Sequence, residues 1–164
     1  MTHKLATVAI FERLLDVGQR AIATQELADQ GEGALPILES LFSGTAKNQW
    51  GVPYRQLGTP FDCALVAAAR LGSTAIPLEG YLRAAVQSGH PYAAQALAAL
   101  GTLKDESIAA LASQLETDHL LATEAAIALV CTNNTHHSSV KEAIARSAAA
   151  ATALQWAEKH AQHK

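Results

Sequence analysis

The chain has 164 residues and a net charge of −3, with twelve basic side chains spread along its length and only 5% aromatic residues. That charge gives no basic footprint for a nucleic-acid backbone, so nucleic acid is excluded as a first partner. The length suits one domain able to bury roughly 70% of its unfolded surface without a staple. Alanine and leucine dominate and β-branched residues are too scattered for alternating strands, which predicts an all-α chain.

The first segment, 1–33, reads as an irregular cap. Leu5, Val8, Ala9, Phe11, Leu14 and Leu15 form a broad apolar helical face with Gly18 as its stop, and Thr24 is the expected cap of a short second helix ending before Gly31. From Ala34 a repeat becomes legible, because Ala34-Leu35-Pro36-Ile37 resembles Ala75-Ile76-Pro77-Leu78. Proline fits both places as a first-turn helical residue, where its missing N–H costs nothing. The distance between the two copies is 41 residues, against a period near 30 elsewhere, so about eleven residues are inserted.

The insertion, 44–58, holds glycine and proline punctuation together with Trp50, Tyr54 and Arg55. Loops inserted into repeats project from one face and frequently carry binding, and Trp, Tyr and Arg dominate interface energetics. Asn48, Gln49, Trp50, Tyr54 and Arg55 are therefore candidate partner-binding residues. A second reading stays open: Trp50 and Tyr54 fold back to plug the gap between units while Arg55 satisfies a carbonyl or carboxylate.

Thr59-Pro60-Phe61-Asp62 predicts a helix start, with Thr59 as N-cap, and Leu71-Gly72 its end. Here begins a pattern written three times. Ala64, Ala67, Ala68 and Leu71 recur 29 residues later as Ala93, Ala96, Leu97 and Leu100, and again as Ala122, Ala125, Ala126 and Leu129. Each quartet has the i, i+3, i+4, i+7 spacing of one helical face. A second pattern, Leu78, Tyr81, Leu82 and Ala85, returns as Ile108, Leu111, Ala112 and Leu115. Tandem pairs of short amphipathic helices are the signature of an α-solenoid. The helices are expected over Pro77 to Gln87, from His90-Pro91 to Leu100, from the Thr102/Asp105 start, and over Leu120 to Val130. Asn134 or Thr135 is the expected cap of a long last helix, Ser138 to about His160, which with its tail makes up 138–164. Its Trp156 either seals the stack or meets a second copy, so this helix is where a homodimer would form.

The phrases Ala93-Ala94-Gln95-Ala96-Leu97-Ala98-Ala99-Leu100-Gly101 and Ala75-Ile76-Pro77-Leu78-Glu79-Gly80-Tyr81-Leu82 resemble the two halves of a HEAT-like repeat, close to the short variety of PBS-lyase-like HEAT proteins. The resemblance covers about residues 34–145, departs at the insertion and both ends, and implies a right-handed α-solenoid whose repeats occupy 34–137. In such proteins the second helix of each pair lines a concave protein-binding surface, which implies Glu79, Arg83, Gln87, Ser107 and Gln114 as inner-face candidates.

Chemistry has little support. His90 and His119 stand one repeat apart, too far for one metal ion at the ~10 Å spacing of packed helices. A helix-start histidine with a local hydrogen bond is the plainer reading of each. No phosphate loop, nucleophile elbow or paired-cysteine motif occurs, and Cys63 and Cys131 read as reduced thiols. No metal and no cofactor is expected. No leader-like segment and no run of about 18 apolar residues is apparent, which points to the cytoplasm and away from a membrane. The expected function is a protein-binding module: an adaptor, a scaffold, or an inhibitor such as an immunity protein. The alternative is an enzyme or accessory on the same scaffold, a bilin lyase relative or a DNA glycosylase, though a glycosylase would want the basic surplus this chain lacks.

Overall fold

The computed structural model describes the backbone of residues 2–162 and the side chains of residues 9–162, so the side chains of Leu5 and Val8 and the tail at His163 lie outside it. The chain is all-helical. Helices run Thr2–Leu15 (α1), Arg20–Asp29 (α2), Ala34–Phe42 (α3), Gly58–Leu71 (α4), Glu79–Gln87 (α5), Ala93–Ala99 (α6), Asp105–Gln114 (α7), His119–Cys131 (α8), Ser138–Arg146 (α9) and Ala148–Ala161 (α10). Short 3₁₀ turns fill 31–33, 54–56 and 72–78. Among the described residues there is no strand, only an isolated bridge between Lys47 and Pro53.

Alanine-rich seams set the packing. The members of the three quartets are buried, except that Leu71 is half-buried, and all but Ala122 join one continuous core with Leu78, Leu82, Ile108, Leu111 and Leu115. Small side chains let helices approach closely, while the leucine in each quartet supplies the apolar area. Contacts run in two series: α2, α4, α6, α8 and α10 touch in succession, and so do α5, α7 and α9. The series are tied by α5 on α6, α7 on α8 and α9 on α10.

Several boundaries differ from the sequence reading, each for a local reason. Thr24 is no cap: it lies inside α2, buried, with its hydroxyl donating to the Arg20 carbonyl. The turn forms earlier because the Asp16 carboxylate accepts the Gly18 N–H, which lets α2 begin at Arg20. Thr59 likewise makes no capping bond, and α4 begins at Gly58 after the extended Leu57. Pro77 belongs to the 3₁₀ turn ahead of α5. Gly72 adopts φ +59°, a backbone few residues tolerate, and stops α4 as expected.

The long last helix is two helices. Ser147 takes an extended conformation (φ −138°, ψ 119°) and its Oγ accepts the Ala150 N–H, so a new N-cap interrupts the alanine run. The break lets α10 turn back along α8. At the start of α9 neither Asn134 nor Thr135 caps; His137 does, its Nδ1 accepting the Ser139 N–H while Nε2 sits 3.3 Å from Asp105.

The helical run Gly58–Gln87 is, by length and composition alone, apolar enough to cross a bilayer, contrary to the sequence reading. It is not one straight helix, since Gly72 and the following 3₁₀ turn divide it, and Ala64, Ala67, Ala68 and Leu82 on it are buried in the protein's own core.

Candidate functional site

The insertion is an ordered turn built on Asn48. Its backbone N–H donates to the Val52 carbonyl and its carbonyl accepts the Gly51 N–H, while its Oδ1 accepts the N–H groups of both Trp50 and Val52 at 3.0 Å. An asparagine with both backbone groups and its side chain engaged holds a tight turn without help from neighbours. Ala46 N–H on the Ser40 carbonyl moors the loop to α3, and Tyr54 N–H on the Ala46 carbonyl closes the loop on itself.

The five loop residues divide between the two readings left open by the sequence. Trp50 stands at the tip with 75% of its surface exposed, and Gln49 beside it is exposed as well. Tyr54 is fully buried: its ring lies 5.1 Å from Phe11, and its hydroxyl donates to Glu12 Oε1. Burial first, then that bond to Glu12, push the phenol well above its ordinary pKa. Arg55 lies at the surface against Gly44, whose φ of +82° and missing side chain allow the approach: a Cβ there would stand 2.7 Å from Arg55 Nε. Its Nη1 donates to the Ser43 carbonyl at 3.2 Å.

On the helices, Glu79 is 3% exposed, and its Oε1 accepts the Lys104 N–H and the Ser107 hydroxyl, joining the start of α5 to the start of α7. Ser107 is itself buried. Neither side chain has surface to offer a partner, whereas Gln87 is exposed and Arg83 and Gln114 are half-buried. The resemblance that implied Glu79 and Ser107 as inner-face residues could not show that they bond to each other across α5 and α7.

Beside the loop a groove of about 600 Å³ is lined by Arg55, Gln56, Phe61, Tyr81, Ser88 and His90, among others. The His90 ring packs tilted against Phe61 with centroids 4.4 Å apart, and Tyr81 stacks on Phe42 at 6.1 Å. Asp62 lies near His90; burial raises its carboxyl and the imidazole pulls it back down. A second cleft, about 410 Å³, holds Arg20, Asp62, Arg70 and Tyr92. A third, about 470 Å³, lies between α8 and α10 under Trp156, which is 44% exposed and stacked on His160. Among the described residues, no three His, Cys, Asp or Glu side chains come together in a metal-binding group.

One carboxyl was missed. Glu124 on α8 has an Oε2 with no hydrogen-bond partner and almost no exposure. Burial raises its pKa, a bond from the Tyr92 backbone opposes this, and the charge of Asp118 adds to the rise. A carboxyl with a raised folded-state pKa penalises folding once ionised. It costs nothing below the unfolded value, and stability falls as pH climbs from there toward the folded value. Glu124→Gln is therefore expected to flatten the fall in thermal midpoint as pH rises above about 4. Identical slopes in the two proteins would rule this out.

The fold and loop together define an all-α protein with one ordered, aromatic-tipped insertion. No protein-family model, curated protein or solved structure matches this chain.

Proposed function

We propose that this chain is a protein-interaction module: a right-handed α-solenoid of HEAT-like two-helix repeats that docks another protein through the 44–58 loop and the helix face carrying Arg83 and Gln87. Its biological role on this reading is that of an adaptor, a scaffold or an inhibitor of the immunity-protein kind. The observation that carries the reading is Trp50, a large indole 75% exposed on a turn that Asn48 holds in place. An exposed tryptophan on a pre-ordered backbone loses little conformational freedom on binding, and tryptophan is enriched among residues that dominate interface energy. The two contact series of helices support the solenoid part, because stacked helix pairs touch chiefly their neighbours in sequence.

In this reading the loop's other residues act at one remove. Asn48 shapes the turn, Tyr54 anchors it to α1, and Glu79 braces α5 against α7, while Gln49, Trp50 and Arg55 present surface. The test is affinity capture from lysate of the source organism with wild type and Trp50→Ala. The variant is expected to keep its stability to within about 0.5 kcal/mol, since the side chain is exposed, and to lose a partner that wild type retains. Recovery of the same proteins with both would defeat the proposal.

A further inference from the structure

The groove between the loop and α5 has features that protein docking through Trp50 does not use. Its guanidinium is already in place, because Gly44 admits the Arg55 stem and the Ser43 carbonyl takes one N–H. Arg13 and Arg146 are paired with Glu26 and Glu116, but Arg55 has no carboxylate partner among the described residues. Of the acidic groups nearby, Glu39 accepts from the Tyr81 hydroxyl at 3.5 Å. The Arg55 guanidinium lines the same groove as Phe61 and Tyr81.

We infer that this groove is a binding site for a small organic acid, one carboxylate carried on a flat apolar group. The guanidinium fork matches a carboxylate with two parallel N–H bonds, and half-buried Tyr81 in the groove wall offers apolar surface for the rest of the ligand. The volume of about 600 Å³ suits such a ligand. An extended peptide fits less well, because it would add to a strand edge and the walls here are α5 and a 3₁₀ turn. A helix would need a long apolar trough, whereas Ser43, Gln56, Ser88 and His90 put polar groups around this one. This inference shares Arg55 with the protein-docking reading, but it is tested by small-molecule binding and does not depend on that reading.

The experiment is a ¹⁵N-resolved NMR titration of the whole chain with phenylacetate, phenylacetamide and the peptide acetyl-Phe-Asp-Phe-amide. Phenylacetate is expected to shift the Arg55 Nε–H and the Ser88 and His90 amides saturably, with a Kd of about 1 mM. The neutral amide should bind about 10-fold more weakly, and Arg55→Gln should lose about the same factor for the acid. Tyr81→Leu, which keeps the charge and removes a ring, should also weaken the acid. Absence of saturable shifts, equal binding of acid and amide, or tighter binding of the peptide than of the acid would overturn the assignment.

Discussion

Tyr54→Ala is expected to destabilise the protein by about 3–5 kcal/mol, the range for truncating a fully buried aromatic side chain. The phenol ring has no exposed surface and packs on Phe11, so its loss leaves a void between the insertion and α1 that a short, moored loop cannot close. The hydroxyl's bond to Glu12 goes with it. Tyr54→Phe, which keeps the ring, should cost only about 0.5–1.5 kcal/mol because Glu12 itself is exposed and regains water. Urea denaturation of both variants measures the difference. An alanine variant within 1 kcal/mol of wild type would mean that the loop is not part of the core. The raised phenol pKa adds a sign that can be checked. Above about pH 10 the unfolded tyrosine ionises while the folded one does not, so stability falls with further rise in pH, and Tyr54→Phe should remove that part of the fall.

Leu100→Ala should cost about 2–5 kcal/mol. The side chain is 2% exposed at the end of α6, the helix that contacts α4, α5 and α8, so the cavity opens where several helices meet. Small neighbours such as Ala96 and Ala125 have no longer rotamers with which to fill it. The size of the change in denaturation midpoint decides the matter. A change below about 1 kcal/mol would show that the alanine seam can close by sliding its helices. Because Tyr54 and Leu100 lie in different parts of the core, their effects should add if the chain unfolds as one cooperative unit.

These two residues were legible to different degrees before any coordinates. Leu100 is the fourth member of a quartet repeated at 29-residue spacing, and a helical period alone places it on a buried face. Tyr54 sits in a stretch without period, where nothing local distinguishes an aromatic that docks outward from one that folds inward. Trp50, four residues away, shares its composition and ends in the opposite environment. Glu79 shows the same limit, since a carboxylate in a helix's first turn reads as solvated until Lys104 and Ser107 are brought to it from 25 and 28 residues away.

The amino-acid sequence alone determined the helical class and the three alanine-rich faces, because each follows from side-chain spacing along a helix of known period. Tertiary structure alone decided which loop residues face solvent, that Ser147 divides the last helix, and that Arg55 has no carboxylate partner among the described residues beside its groove. Those outcomes turn on which distant groups meet: Phe11 and Glu12 on Tyr54, α8 under α10, Gly44 beneath Arg55. Periodicity reports which face of a helix is apolar, but hydrogen-bond partners across 42 residues of chain are set by how the helices stack.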